Sequence, residues 1–380
     1  MKKRLAILVL AGAMAATSLT GCSSLNEKDV VATVDGDEIT ADVANFYARY
    51  TQAQYESYMG QYMGDDMWSS EAEEGKTYQD SVKDSIIESL ENMYLLEDHM
   101  EEYGISLSDE EKQAIEDTAA EFDEANSKED KKKVSGSQDT VERVLTLITV
   151  QNKVADAIMD TADTEVSDEE AAQKKMQYVA FPFTTTDEEG NSVDITDAEK
   201  EALKAEAEDF ANAAKGADDF ATYAAENGEE VVDATFDAES TSYDSALIAA
   251  ADALEEGEFT DVVEGTDGYY VAKVISLFDE EATEEKKDEI ISQRQNDKYT
   301  EIIDGWREEA EITVDEKVWA KIDFDELSVT IKQEAADVEE TTEETTEDTT
   351  EDTTEDTTED TADDAAAEED TESTDDAAEE

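Results

Sequence analysis

Hydrophobic and polar positions in the first half of the chain follow a helical repeat after a short opening hairpin. Residues 30–40 read VVATVDGDEIT, which is typical of two strands joined by an Asp-Gly turn. Thr40 is expected to cap the helix that follows, in which Phe46, Tyr47 and Tyr50 recur at helical spacing. This opening predicts a small hairpin leading directly into a long helix.

Three further helices are predicted before residue 162. The second covers about residues 78–103, with apolar side chains three and four positions apart. Ser108-Asp-Glu-Glu111 has the spacing of a capping box and is expected to start the third. Residues 128–138 are predicted to form a loop, and residues 140–161 the fourth helix. The first half is therefore expected to be helical apart from its hairpin.

The pattern changes at residue 173, where short β-type runs begin to alternate with helices. The predicted elements are a strand over 175–183, a helix over 196–215, a short helix from 216, a strand over 231–236, a helix over 243–254, a short strand within 255–263 (EEGEFTDVV) and a strand over 268–275. This order indicates a small α+β domain with an antiparallel sheet of four strands. A charged amphipathic helix over 283–311 then resembles the first half, as expected if one domain is inserted into another.

The first 22 residues have the features of a secretory signal. Lys2, Lys3 and Arg4 precede an apolar run that is too short to span a bilayer. The sequence Leu19-Thr20-Gly21-Cys22 resembles a bacterial lipobox, which implies cleavage before Cys22 and acylation of its thiol. The alternative is an ordinary signal peptide with a coincidental cysteine. Because Cys22 is the only cysteine of the 380 residues, no intramolecular disulfide or thiolate metal cluster is expected.

Charge sets further limits on function. The chain has 107 acidic and 28 basic residues, a formal net charge of −79. Nucleic acid is excluded as a partner because phosphate binding needs clustered cations. From about residue 334 the chain consists of repeated T-T-E-D units without Lys or Arg. This segment cannot bury apolar surface and is expected to be a disordered, solvated tail.

Most common catalytic and cofactor chemistries lack their residues here. His99 is the only histidine, so a histidine-based metal site or triad cannot be built. No Gly-x-Gly-x-x-Gly or EF-hand spacing occurs. We therefore expect no metal and no cofactor.

The lipobox, the order of segments and several motifs together resemble one family. The chain is similar to PrsA/SurA-type extracytoplasmic foldases that contain a parvulin-type peptidyl-prolyl cis-trans isomerase (rotamase) domain. Residues 31–49, VATVDGDEITADVANFYAR, resemble the opening of the chaperone module, and 218–227, DDFATYAAEN, resemble the family's Phe-Ala-x-Leu-Ala helix. Residues 251–277 resemble the family stretch in which Ala-Leu-x-x-Gly-Glu precedes Gly-Tyr-His and an apolar strand.

The resemblance implies a division of the chain into six segments. These are a lipoprotein signal peptide (1–21), an anchor linker (22–29), a helical SurA-N-like segment (30–172), a parvulin-like domain (173–279), a helical segment that completes the chaperone-like domain (280–330) and a disordered Thr/Glu/Asp-rich tail (331–380). The predicted fold class is accordingly α+β, with a helical domain built from both ends of the chain and a parvulin-like insertion.

Carried over position by position, the resemblance implies a modified catalytic pocket. The family's two facing histidines correspond to Tyr178 in QYVAF and Tyr270 in GYY. Its proline-binding Phe corresponds to Leu247, and the Met or Leu beside it to about Tyr243. The Gly-Gly-Asp-Leu-Gly motif is replaced by the shorter VVDATFDAES, and no residue matches the acidic or thiol position.

The implied function is that of a lipid-anchored foldase or chaperone at the extracytoplasmic face of the cell membrane. Its partners would be unfolded or partly folded exported polypeptides. The sequence does not decide whether a second copy of the chain is also a partner, as in a homodimer. The residues leave two states of the domain open: an isomerase in which tyrosines replace the histidines, or a catalytically dead holdase. A surface scaffold with an acidic spacer tail is a third alternative. Aromatic side chains that could line a client groove are Tyr47, Tyr50, Tyr55, Tyr58, Tyr62 and Trp68.

Overall fold

The computed structural model describes residues 14–18, 25–64, 66–187 and 190–331. Two expectations lie outside these residues: the lipid attachment at Cys22, and the acidic tail from residue 332 on. Of the predicted signal peptide, only residues 14–18 are described.

Helices account for much of the described chain. They are α1 (Ala41–Met63), α2 (Tyr78–Asp98), α3 (Asp109–Ala125), α4 (Lys128–Lys133), α5 (Gln138–Met159), α6 (Asp168–Ala171), α7 (Asp197–Ala214), α8 (Phe220–Glu226), α9 (Ser245–Asp252), α10 (Glu280–Glu309) and α11 (Glu316–Trp319).

The strands are short except for two in the middle of the chain. They are β1 (Met14–Ser18), β2 (Val30–Val34), β3 (Asp37–Thr40), β4 (Glu71–Glu73), β5 (Lys76–Thr77), β6 (Lys174–Pro182), β7 (Thr184–Thr186), β8 (Ser192–Asp194), β9 (Val232–Phe236), β10 (Val263–Glu264), β11 (Gly268–Ser276), β12 (Ile312–Val314) and β13 (Leu327–Ile331).

The largest sheet belongs to the middle of the chain. Its order is β10-β11-β6-β9, and each pair of neighbours is antiparallel. A three-stranded sheet of order β12-β2-β3 belongs to the ends of the chain, and β1 pairs with β13. The predicted α+β fold class, with a four-stranded antiparallel sheet set between helical segments, is confirmed.

The helical module is built from both ends of the chain. Strand β12 pairs with β2, so that Ile312 lies opposite Val34. Phe46 of α1 shares one apolar core with Phe324 and Val329, which lie near the other end of the described chain. This shared core explains why the segment after residue 280 returns to the helical pattern of the first half.

Capping explains where several helices begin. The Glu111 backbone N–H donates to the Ser108 hydroxyl at 3.1 Å, and the Ser108 N–H donates to the Glu111 carboxylate at 2.8 Å. Thr196 and Glu199 form the same reciprocal pair at the start of α7. Each pair satisfies two of the backbone donors that a helix leaves free at its N-terminus. The capping box expected at Ser108 is confirmed.

Two helical expectations were wrong. The segment 128–138, predicted as a loop, begins with α4, because the Ser127 hydroxyl accepts the Asp130 N–H and three lysines complement the negative end of the helix. Helix α2 ends at Asp98 rather than near Tyr103. Turns then continue to Gly104, whose φ of +66° suits glycine.

The inserted domain packs helices on both faces of its sheet. Val179, Phe181 and Val271 contribute to a core with helices α7 and α8. On the opposite face, Met176 and Val274 pack with α9. Entry and exit of the insertion lie together, since the Asp279 N–H donates to the Gln173 carbonyl at 2.7 Å.

The described part of the predicted signal segment lies in a strand. Residues 14–18 pair antiparallel with β13, and Met14 and Ala16 are buried in the core of the helical module. None of the helices described here combines the length and apolar character that crossing a membrane would require.

Candidate functional site

Strands β6 and β11 bring two predicted site residues to one face of the sheet. Tyr178 lies opposite Ala272, and Tyr270 lies opposite Ala180. The two tyrosines are therefore diagonal neighbours on adjacent strands, within reach of each other's rings. Their ring centroids are 6.1 Å apart at an interplanar angle of 67°.

Helix α9 supplies the other two predicted residues. Tyr243 precedes the helix and places its ring 6.1 Å from that of Tyr178, nearly edge-on. Leu247, in the first turn of α9, is 1% exposed and belongs to the core that also contains Phe236. The structure thus brings Tyr178, Tyr243, Leu247 and Tyr270 together around one cleft.

The cleft has a volume of about 470 Å³. It is lined by Tyr178, Ser242, Tyr243, Asp244, Ser245, Leu247, Thr266, Asp267 and Tyr270. The three tyrosines are half-buried, and no described residue hydrogen-bonds to their hydroxyls. Three phenol groups are therefore available to a ligand, and Leu247 forms the apolar base of the cleft.

Asp244 fixes the wall of the cleft. Its carboxylate accepts the Thr266 N–H at 2.8 Å and the Ala246 N–H at 2.8 Å, which ties the start of α9 to the loop before β11. A Cβ at Gly265 would lie 2.5 Å from Cε2 of Tyr270 and 2.7 Å from Cγ of Asp244. Only glycine lets this loop pass so close to both side chains.

The electrostatics keep two phenols neutral. Burial raises the pKa of Tyr270, and the nearby Asp244 and Asp267 raise it further. Burial also raises the pKa of Tyr178, with Tyr243 adding to it. The hydrogen bond from the Thr266 backbone lowers the pKa of Asp244. At neutral pH the cleft therefore presents hydroxyl donors beside a carboxylate that is already occupied by backbone N–H groups.

The residue next to Tyr270 has a different environment. Tyr269 is 5% exposed and points to the opposite core, where its ring lies 4.9 Å from that of Phe183. Of the two adjacent tyrosines, only Tyr270 belongs to the cleft.

Sequence reasoning missed five polar residues of the cleft: Ser242, Asp244, Ser245, Thr266 and Asp267. An available signal was the position of Asp244 just before Ser-Ala-Leu-Ile, since aspartate is a common N-cap. Its contact with Thr266 joins residues 22 positions apart, and no local pattern predicts it.

A second surface lies on the helical module. A groove of about 540 Å³ between α1, α2 and α5 is lined by Tyr47, Tyr50, Thr51, Gln54, Tyr55, Tyr58, Met59, Met93, Ile148, Gln151 and Asn152. Tyr58 is 72% exposed, and Tyr62, one turn further along α1, is 88% exposed.

Trp68, expected on the same surface, is instead buried. Its ring packs 4.8 Å from Phe324, and its indole N–H donates to Glu56 at 2.9 Å. Trp68 therefore serves the core, and its placement in the groove was wrong.

Within the described residues, no group of three or more His, Cys, Asp or Glu side chains is arranged to hold a metal ion. His99 lies at the end of α2 and stacks on Trp306 with ring centroids 3.9 Å apart.

Two family models match this chain. A SurA-like N-terminal domain matches residues 2–138, and a PPIC-type PPIase domain matches residues 175–288. The second match contains all four tyrosine and leucine positions of the cleft. A search of curated protein sequences finds no significant match.

Similar solved structures include the foldase protein PrsA of Lactococcus lactis, with 16% identity, 77% of this chain and 97% of that chain covered, and a TM-score of 0.33. PrsA of Streptococcus pneumoniae has 20% identity, and the match covers 67% of this chain and 98% of that chain with a TM-score of 0.28. A structure from the work on the SurA-like chaperones PEB4 and Cj1289 of Campylobacter jejuni has 14% identity. The match covers 76% of this chain and 99% of that chain with a TM-score of 0.28. Together, the two family models cover most of the chain and show that it belongs to the PrsA/SurA-type foldases with a parvulin-type domain.

Proposed function

We propose that this protein is a lipid-anchored extracytoplasmic foldase whose parvulin-type domain binds prolyl segments in the tyrosine cleft and isomerises them. The supporting observation is the cleft itself: Tyr178, Tyr243 and Tyr270 surround an open space above Leu247. One copy of the chain carries all four residues, so the proposal does not depend on a homodimer.

Prolyl isomerisation suits such a site because it needs no nucleophile. Amide resonance sets a rotation barrier of ~18–20 kcal/mol. A catalyst must bind the twisted amide more tightly than either planar form. In the twisted amide the nitrogen lone pair is no longer delocalised, so it accepts a hydrogen bond that the planar amide does not.

The tyrosines can supply this differential binding. Tyr178 and Tyr270 carry neutral hydroxyls, since burial raises the pKa of both. One phenol can donate to the prolyl nitrogen of the twisted amide while another donates to a carbonyl oxygen. The aromatic rings and Leu247 form an apolar seat for the pyrrolidine ring. In this proposal Tyr178 and Tyr270 are catalytic, and Tyr243 and Leu247 position the substrate.

A protease-coupled assay over a panel of X-Pro peptides tests this role. Tyr270→Phe removes one hydroxyl and keeps the ring, so kcat/KM should fall about tenfold, the loss expected for one hydrogen bond made in the transition state. Tyr269→Phe is the matched control, because it removes a phenol from the neighbouring residue on the sealed face, and it should leave the rate unchanged. Wild-type rates equal to the uncatalysed control would establish the catalytically dead holdase instead.

A specific observation supports client holding by the helical module. Tyr58, Met59, Tyr62 and Met63 form an exposed apolar strip on the last two turns of α1, and the first two of these residues also line the groove. Large exposed apolar side chains at consecutive turns are typical of a protein-binding surface. Unfolded or partly folded exported polypeptides are the proposed occupants.

Suppression of client aggregation tests this surface. Tyr58→Ser with Tyr62→Ser should weaken suppression severalfold without changing isomerase rates. Phe278→Ser is the matched control, since Phe278 is 46% exposed but lies outside the strip. Equal loss from both variants would assign holding to general surface hydrophobicity.

Lipid attachment at Cys22 would place the protein at the outer face of the cytoplasmic membrane. The support is the lipobox Leu19–Cys22, together with the basic and apolar segment before it. Intact mass spectrometry of the membrane fraction should show a chain beginning at an acylated Cys22. Cys22→Ser should abolish the acyl mass, and a Cys22→Ser chain that still carries this mass would contradict attachment at Cys22.

A further inference from the structure

Strand β13 has a single sheet partner among the described residues, and this partner is a segment that processing would remove. Strand β1 occupies its edge, with Met14 opposite Ile331 and Ala16 opposite Val329. Cys22 follows β1 in the sequence, so cleavage before Cys22 separates β1 covalently from the rest of the protein.

The backbone geometry shows which groups of β13 would become free. The Val329 N–H donates to Glu56 at 2.9 Å, and the Ile331 N–H donates to Ser57 at 3.1 Å, both on α1. Because alternate residues of a strand direct their backbone groups to opposite sides, Ser328 and Thr330 face β1. Their N–H and C=O groups pair with Thr17 and Ala15.

The side chains show what the site accepts. Met14 is 2% exposed and Ala16 is 5% exposed, and both belong to the core that contains Leu327 and Val329. The positions therefore hold one long unbranched apolar side chain and, two residues later, one small side chain. Departure of β1 would uncover Val329, which is fully buried in its presence.

Two polar side chains hydrogen-bond to the backbone of β1 on the side that faces away from β13. The Met14 N–H donates to Oδ1 of Asn126 at 2.7 Å, and Asn126 is itself 6% exposed. Nζ of Lys133 donates to the Ala16 carbonyl at 2.8 Å. Both bonds involve main-chain atoms, so any extended peptide can form them. Departure of β1 would remove this partner of the Asn126 oxygen, and a new extended segment can restore the same bond.

We propose that, after cleavage before Cys22, the edge of β13 binds extended segments of unfolded polypeptide by antiparallel strand addition. The preferred segment has a Met-like side chain and a small side chain at the positions of Met14 and Ala16. Main-chain hydrogen bonds provide sequence tolerance, and the two buried positions provide preference. The inference rests on the processing in the proposed function, and it assigns a peptide-binding site separate from the tyrosine cleft.

Fluorescence anisotropy with a labelled peptide of residues 12–20, GAMAATSLT, tests the site on the processed protein. The peptide should bind saturably, and its Ala15→Pro version, which lacks the N–H facing Thr330, should bind at least about tenfold more weakly. Lys133→Met should weaken binding about fivefold, since it removes one charge-assisted donor but keeps the side-chain stem. Lys132→Met is the matched control, because Lys132 is exposed on the same helix, and it should have no effect.

Saturable binding that Ala15→Pro and Lys133→Met both weaken would support the site, while absent binding or an unaffected Ala15→Pro peptide would overturn it. If circular dichroism shows that the processed chain is unfolded, refolding on addition of the peptide supports strand addition, and failure to refold contradicts it.

Isomerase and aggregation assays on the same samples report on the proposed function independently. Intact mass distinguishes the two failures: a membrane-bound chain that retains residues 1–21 refutes the processing, and a processed chain without peptide binding refutes strand addition alone.

Discussion

The two faces of the four-stranded sheet use aromatic residues in opposite ways. On the face covered by α7 and α8, Phe181, Phe183 and Tyr269 are buried against Phe210 and its neighbours. On the face covered by α9, Tyr270 meets Tyr178 edge-on and stays half-exposed. Ring contacts occur on both faces, so ring contacts alone do not identify a site.

Helix coverage distinguishes the two faces. Helices α7 and α8 have 18 and 7 residues and cover the first face, whereas α9 has 8 residues. The short helix packs Leu247 and Ile248 onto the sheet, and beyond its start the face is open to solvent. A short helix on one face therefore creates the cleft, in which the hydroxyls of three tyrosines have no hydrogen-bond partner among the residues that the structure describes.

The largest expected effect is the loss of stability when a buried tyrosine of the α7/α8 face is truncated. Tyr269→Ala should lower the free energy of unfolding by about 3–4 kcal/mol, because it leaves a cavity in a packed core. Tyr270→Ala should lower it by about 1 kcal/mol, because this side chain is half-exposed and already borders the cleft. Denaturant unfolding measures both, and equal losses would show that the two faces are packed alike.

A smaller effect is expected where the wall of the cleft is tight. Gly265→Ala should reduce isomerase kcat/KM about tenfold, because its Cβ would displace Tyr270 or Asp244 from the geometry that catalysis needs. Gly216→Ala is the matched control, since its Cβ would meet only the Ala213 carbonyl at an ordinary 3.6 Å. An unchanged rate in Gly265→Ala would show that the position of Tyr270 is not critical.

The smallest effect concerns pH. The pKa of Tyr178 and that of Tyr270 are raised by burial, so both groups stay protonated through pH 10, the ordinary tyrosine value, and donate throughout the neutral range. Activity should be flat between about pH 6 and 9 and fall only as the pH rises past the raised pKa values. Exchange spectroscopy of a prolyl peptide measures this profile. A step at about pH 6.5 would indicate a histidine, which the cleft does not contain.

The fold follows from the sequence where apolar periodicity and caps agree, as in α5 and at Ser108. Expectations failed where tertiary contacts decide the outcome. Trp68 follows the exposed aromatic stripe in sequence, but Phe324, more than 250 positions away, buries it. Strand β13 is too short and too near the acidic tail to be recognised without its contacts to α1 and β1.

The site was predictable in part. The resemblance assigned Tyr178, Tyr243, Leu247 and Tyr270, and the structure brings these four residues together; their catalytic roles stay predictions. Asp244 and Thr266 were missed because their contact depends on the path of the loop at Gly265. Alternation along β11 does separate Tyr269 from Tyr270, but only the pairing with β6 shows which of them faces α9.

The most direct test of the tyrosine cleft is a titration of the protein with a prolyl peptide, followed by the aromatic resonances of labelled tyrosines. Resonances of Tyr178, Tyr243 and Tyr270 should shift together and saturate with one dissociation constant. Those of Tyr269, on the sealed face, and of Tyr299, on α10, should stay in place. Saturating shifts confined to Tyr58 and Tyr62, with the cleft resonances unchanged, would contradict a prolyl site in the parvulin-type domain.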